Sequence, residues 1–309
     1  EKNNKVVGGR PNPDDRSDAI DKVTGRARYA ADYNLPGQLI GKVLRSPHAH
    51  AVIKSIDTAE AEKLPGVKAV VTRDDFPDLE VEHAASGELM VNFRDVTRNM
   101  MAREKALYDG HPVAAVAALS ESIAKQALKL IKVDYEVLPH VIDVVEAMQP
   151  DAPLLHEDMF TKGSGIEPDP SKKSNIATRM ENKLGDIEDG FMKADFIVEH
   201  ESNTKPTHQG YIEPQASIAN YSEGGTIEVF TSTQGHHVFR AQIAKLLKMD
   251  LSKIKVVPAE LGGGFGGKNN VYLEPLAAQL SRKANRPVKM VMTRDEVFRA
   301  TGPTSGTNC

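Results

Sequence analysis

The stretch Gly262-Gly263-Gly264-Phe265-Gly266-Gly267-Lys268 decides how the second half of this chain is read. Five glycines and one aromatic residue stand between an apolar run at 254–257 and an apolar-periodic segment at 272–280. That order predicts strand, tight glycine loop, helix. Glycine carries no Cβ, so the backbone can approach a ligand closely and adopt φ > 0. A helix N-terminus just beyond such a loop offers unpaired N–H groups to an anion. The lone Phe265 predicts a ring held where something flat, or something reactive, must be packed.

Three ligand readings are open for the loop. Gly262, Gly267 and Lys268 satisfy G-x-x-x-x-G-K, but a phosphate loop needs Ser or Thr next to ligate magnesium, and Asn269 stands there. Gly262, Gly264 and Gly267 also satisfy G-x-G-x-x-G. A strand predicted at 287–292, with Asp295 soon after it, completes an imitation of a dinucleotide site. The third reading depends on the rest of the chain.

Composition bounds the choice. The 309 residues are enough for two domains with sizeable cores. Hydrophobic residues make up 40% and charged residues 27%, ordinary for a soluble globular protein. A formal net charge of −4 gives no electrostatic reason to expect a nucleic acid partner. No apolar run approaches the roughly 20 residues of a membrane span, and the polar opening at 1–16 has no apolar core of the signal-peptide kind. The first residue is Glu1, not Met, so residues are expected to precede it. One cysteine, Cys309, excludes an internal disulfide framework and any Cys-clustered zinc or iron–sulfur site within this sequence. That usage fits a reducing, cytoplasmic setting.

The pattern divides into two units. Residues 1–16 are expected to form a polar arm. From 17 to 145, strands at 39–44, 51–56, 67–72, 113–119 and 131–137, rich in Val and Ile, alternate with helices. Asp57-x-x-Glu60 resembles a capping box opening a short helix that Pro65-Gly66 ends. Ile123, Ala124, Ala127, Leu128 and Ile131 recur at helical spacing. The charged stretch 74–98 reads as a long loop. A proline-bearing linker spans 146–174. The second unit, 175–309, predicts helices at 185–194 and around Phe239, Ile243, Leu246 and Leu247, and strands at 196–201, 216–221 and 227–231.

Six motifs then fall in one order. They are Lys22-Val23-Thr24-Gly25-Arg26-Ala27-Arg28-Tyr29-Ala30-Ala31-Asp32, Arg45-Ser46-Pro47-His48-Ala49-His50-Ala51, Asp109-Gly110-His111-Pro112-Val113-Ala114, His208-x4-Glu213-Pro214, Thr231-Ser232-Thr233-Gln234 and the glycine loop. Together they resemble the amino-terminal half of the molybdopterin-binding large subunit of the xanthine dehydrogenase, aldehyde oxidase and carbon monoxide dehydrogenase family, over nearly the whole chain. The resemblance implies an α+β chain: an α/β hammerhead domain, then the first part of a molybdenum-cofactor-binding domain. It implies a molybdenum hydroxylase acting on an aldehyde or N-heteroaromatic substrate with water-derived oxygen. The cofactor is then molybdopterin with Mo, expected in the cytosine dinucleotide form and held through its dithiolene, with no protein ligand to the metal. Electrons are expected to leave through a 2Fe-2S ferredoxin-like subunit and an FAD-binding subunit. By this resemblance Gln234 hydrogen-bonds the apical oxo ligand, a task suited to an amide donor. Gly263, Gly264, Phe265, Gly266 and Gly267 pack beside the Mo centre. Phe265 faces a planar substrate and Gly266 offers its N–H to a Mo ligand.

Two departures qualify this picture. Many purine-oxidising relatives carry Glu after the loop lysine, where Asn269 stands. The family's catalytic glutamate lies in a later Gly-containing motif that this sequence lacks, so the expectation is either a fragment or a subunit split over two polypeptides, the second carrying the C-terminal half. The other readings are a nucleotide-binding dehydrogenase built on Gly262–Gly267 and Asp295, and a non-catalytic assembly subunit. His208 and Glu213 are read as bracing a turn, Lys268 as a surface or phosphate-facing charge, and Cys309 as inert. His48 and His50 are placed on one strand face without supporting ligands, and His236-His237 as neighbours that share no metal.

Overall fold

The structure, a computed structural model, describes residues 18–86, 89–164 and 171–309. The polar arm at 1–16 lies outside the described residues, as does 165–170 of the expected linker. One seven-stranded sheet organises the chain. Its order is Ile254–Pro258, Ile227–Thr231, Ala216–Tyr221, Val288–Val291, Leu39–Arg45, Pro112–Ala118, Val67–Thr72. Four strands come from the second unit and three from the first. They meet where Leu39–Arg45 runs parallel to Val288–Val291, in the register Leu39↔Val288 and Gly41↔Met290. Gly41 allows that junction to close, because a Cβ there would lie 2.5 Å from Met290 Cγ. A three-stranded sheet, Lys105–Ala106, Ala51–Asp57 and Lys132–Val137, flanks the first unit.

Pro112–Ala118 shows why small residues sit at the centre. All seven of its residues are buried. Ala115 and Ala117 face the core shared with Leu39, Leu276 and Ala277. Ala114 and Val116 face a second core with Ala127 and Ile131. The period of two sends alternate side chains to opposite layers, and Ala lets a helix approach on each side. The main core joins Leu39, Val43, Phe76 and Met101 to Tyr211, Phe239, Ile243 and Val288, so the two units fold as one layered body with mixed helix and strand.

Several expectations need correction. The stretch 74–98 is not a plain loop: it carries the strands His83–Ser86 and Leu89–Asn92 and runs into the helix Phe93–Met100. Phe93, Thr97 and Met100 bury one face of that helix, a stripe obscured in the sequence by Arg94, Asp95 and Arg98. Asn92 caps it by accepting from Arg94 N–H at 3.2 Å. The helix after Asp57 starts one residue later than the capping-box reading: Ala59–Lys63 has Thr58 at its cap, and Asp57 Oδ1 accepts from Ala59 N–H at 3.0 Å. The strand expected at 196–201 does not form. Among the described residues, no helix is long and apolar enough to cross a membrane.

Candidate active site

The strand Ile227–Thr231 ends just before Gln234, and Gly235 opens the helix His236–Leu246. The next strand, Ile254–Pro258, pairs parallel to Ile227–Thr231 and leads into the glycine loop. Parallel neighbours deliver both segments to the same sheet end, which brings Gln234 to the loop from 32 positions away. Gln234 Oε1 accepts from Gly266 N–H at 3.0 Å and from Lys268 N–H at 3.2 Å. Gln234 N–H donates to Lys268 C=O at 3.0 Å. Two backbone donors at Oε1 fix the amide orientation. The Nε2 amino group therefore projects from the other side, and no described residue accepts from it.

Within the loop, Gly267 N–H donates to Gly264 C=O at 2.7 Å, closing a four-residue turn. Phe265 at φ 50° and Gly266 at φ 87° hold its centre. Positive φ at both central positions is the type I′ pattern. Glycine accepts it freely; Phe265 does so at about 1–2 kcal/mol, in return for a ring that is 72% exposed. The other glycines answer to close neighbours. A Cβ on Gly264 would meet Gln234 Oε1 at 2.4 Å, one on Gly262 would meet Glu213 Cβ at 2.5 Å, and one on Gly267 would meet Tyr211 Cε1 at 2.6 Å. At Gly266 a Cβ would meet no heavy atom within 4 Å.

Beneath the loop lies a polar floor that sequence reasoning missed. Lys268 is neither a surface nor a phosphate-facing charge; it is 1% exposed and pairs with Glu213 Oε2 at 2.7 Å. The same oxygen accepts from Gly262 N–H at 2.7 Å, so one carboxylate holds both ends of the loop. Lys268 Nζ also lies 4.9 Å from the centre of the Tyr211 ring. Burial pulls the Lys268 ammonium below its usual range, opposed by its Glu213 partner. Tyr211 hydroxyl bonds Thr301 Oγ1 at 2.8 Å and accepts from Gln215, while Arg294 holds the Tyr211 carbonyl at 2.8 Å. Behind Gln234, the Thr231 hydroxyl lies 3.1 Å from Ala216 C=O and 2.5 Å from Glu274 Oε1. Burial pushes the Glu274 carboxyl up, opposed by the hydrogen bonds that it accepts from the Thr231 hydroxyl and Tyr272 N–H. No motif flagged Glu274; its partner is 43 positions away.

The nucleotide readings fail on this geometry. The helix after the loop is Glu274–Ala284 with Leu273 at its cap, so residues 269–272 separate it from the glycine loop, and Glu274 Oε2 accepts from Tyr272 N–H at 2.9 Å ahead of its first turn. The loop is thus no helix N-terminus aimed at a phosphate. Asp295 lies within the helix Arg294–Ala300 and pairs with Arg299 at 3.3 Å. The Gly266 N–H, expected at a metal ligand, is engaged by Gln234. His208 and Glu213 do brace backbone: His208 Nδ1 accepts from Gly210 N–H at 3.0 Å. His50 Nδ1 bonds Pro139 C=O at 2.8 Å, and the His48 ring stands edge-on to Tyr135 at 5.0 Å. The exposed amino group of Gln234, the open face of Gly266 and the exposed Phe265 ring fit a group that presents acceptor oxygens and can come close to backbone.

Two family models define the class: a molybdopterin cofactor-binding chain. Residues 24–139 match the aldehyde oxidase and xanthine dehydrogenase a/b hammerhead domain, and residues 168–309 match the molybdopterin cofactor-binding domain. A probable xanthine dehydrogenase subunit of Bacillus subtilis (strain 168) is 35% identical over 285 residues, covering 92% of this chain and 35% of that protein. The nicotinate dehydrogenase large molybdopterin subunit of Eubacterium barkeri is 31% identical over 279 residues, covering 90% and 60% respectively. The reconstituted CO dehydrogenase of Oligotropha carboxidovorans matches in structure with a TM-score of 0.77 at 32% identity, covering 94% of this chain and 36% of that one. The chain belongs to the xanthine dehydrogenase and aldehyde oxidase family of molybdenum-binding subunits. It spans 35% of the Bacillus protein and 60% of the Eubacterium one.

Proposed function

We propose that this chain forms the cofactor-facing part of a molybdenum hydroxylase large subunit that oxidises an aldehyde or N-heteroaromatic substrate. The reading rests on Gln234, whose carbonyl is pinned by Gly266 and Lys268 so that its amino group is left to donate outward. The molybdopterin-bound metal supplies two-electron oxidation with water-derived oxygen. The protein's part is to aim a donor at an acceptor oxygen without adding charge, and to hold it there before the reaction begins. Gly263, Gly264 and Gly267 let the loop lie against Gln234 and Tyr211. Gly266 leaves room for close approach, and Phe265 offers a ring face to a flat substrate. Among relatives, the one named for nicotinate favours the N-heteroaromatic arm. The cytosine dinucleotide form, a cytoplasmic setting, and 2Fe-2S and FAD subunits complete the proposal; a sequence with Cys309 as its single cysteine cannot ligate a cluster by itself. The family's glutamate base is assigned to the portion of the subunit outside this sequence.

The test is metal content beside kinetics in the complete enzyme. The expected result is about one Mo per large subunit, and for Gln234→Ala retained Mo with kcat lowered about 10²-fold, the effect of losing one preorganised donor. Unchanged turnover, or an enzyme without Mo, would refute the reading.

A further inference from the structure

Glu213 grips the glycine loop with both its main chain and its side chain. Its N–H donates to Gly262 C=O at 3.3 Å. Its Oε2 accepts from Gly262 N–H and from Lys268 Nζ, each at 2.7 Å. Lys268 then works in two directions. Its side chain runs down to Glu213. Its main-chain N–H donates to Gln234 Oε1 at 3.2 Å, and its C=O accepts from Gln234 N–H at 3.0 Å. One residue therefore joins the buried carboxylate to the amide. The ammonium has little freedom to shift, because Tyr211 lies against it with its own carbonyl held by Arg294 and its hydroxyl by Thr301. Stability alone is a poor reason for this pair, since apolar side chains of like volume often replace a buried ion pair at no cost. An apolar floor could not fix direction. A carboxylate does, because it takes charge-assisted donors along set lines.

We propose that Glu213 is a positioning residue for the reaction: acting through Lys268, it sets the line along which the Gln234 amino group donates. The proposal rests on the reading of Gln234 given above, and it requires no contact between Glu213 and substrate or cofactor. Three backbone bonds hold Gln234 at the loop, one from Gly266 and two with Lys268. A slack Lys268 loosens two of the three. The amide then samples directions that a held donor does not, and the advantage of holding it before the reaction is lost.

The test compares Glu213→Gln with the charge-free pair Glu213→Gln/Lys268→Met in the complete enzyme, each with and without Gln234→Ala. Glu213→Gln alone leaves the ammonium without a counter-charge and should melt lower. The charge-free pair should melt close to the parent, yet kcat should stay about tenfold down, with KM and Mo content within about twofold of the parent. Hydrogen exchange gives a readout independent of turnover: the amides at positions 266 and 268 should exchange about tenfold faster in the charge-free pair, with those of 227–231 unchanged. In the Gln234→Ala background neither floor variant should lower kcat further. Turnover that recovers together with stability would show a merely structural role and overturn the proposal, as would unchanged exchange at 266 and 268. Floor effects that multiply with an impaired Gln234→Ala overturn this proposal alone. A silent Gln234→Ala overturns the redox reading and this proposal with it.

Discussion

Gly264→Ala should damage the site only through Gln234. The new methyl would sit 2.4 Å from Gln234 Oε1, 2.6 Å from Cδ and 2.9 Å from Cγ. Gly264 is outside the positive-φ set, so alanine brings no backbone strain there. All three nearest atoms belong to one flexible side chain, which can rotate away. Doing so gives up the bonds from Gly266 and Lys268 N–H, about 1 kcal/mol each in stability. The larger loss is functional, because an unpinned amide is no longer aimed: about 2–4 kcal/mol in the barrier, or roughly 10²-fold in kcat. Gln234→Ala removes the very atoms that clash. In that background Gly264→Ala should be nearly silent, so the two substitutions are strongly non-additive. The assay is a double-mutant cycle in kcat with Mo content measured alongside. Multiplicative effects, or a Gly264→Ala enzyme that turns over like the parent, would refute the argument.

Lys268→Met strands the Glu213 carboxylate in the interior and should cost about 3–5 kcal/mol, read as a lower denaturation midpoint; a change under about 0.5 kcal/mol would show the pair to be inessential. Phe265→Gly relieves a left-handed backbone, so stability should rise by about 1 kcal/mol while KM for aromatic substrates rises; a fall in both would place the ring elsewhere. His111 is fully buried, donates from Nε2 to Arg98 C=O at 2.8 Å and accepts at Nδ1 from Leu107 N–H at 3.1 Å. Burial holds it down to about 4 from an ordinary 6.5. Between those values the unfolded chain takes up a proton that the folded chain refuses. Stability should therefore fall by about 3 kcal/mol as pH drops through that window, and His111→Gln should flatten the slope in chemical denaturation.

Strands were legible where one chemistry dominated. Ala216–Tyr221, Ile227–Thr231 and Val67–Thr72 alternate or run in Val, Ile and Thr, and each forms with the bounds its pattern gives. The segment 196–201 has the same look but finds no partner among the described residues; propensity proposes a strand and only a neighbour makes one. Phe93–Met100 hid because a threonine, Thr97, stands in its buried stripe. At the site, the glycines and Gln234 could be named because their spacing is a pattern along the chain. Glu213 and Lys268 could not be joined, since they are 55 positions apart and a Gly-Lys dipeptide reads as a surface feature. Which N–H answers which oxygen is a three-dimensional fact, and so the Gly266 amide, expected to point outward, turns in.

The parallel pairing at the centre of the sheet bears on how the protein is made. Lys42 reaches Val291 C=O across 249 positions, and the partner strand for Leu39–Arg45 does not exist until that distance has been translated. At about 5–20 residues per second the wait is on the order of 12–50 s. Throughout it, an apolar strand presents one bare edge to other nascent chains. Slower elongation lengthens that exposure. Yield in the cell should accordingly depend on chaperone supply at this stage of synthesis, before any cofactor is inserted.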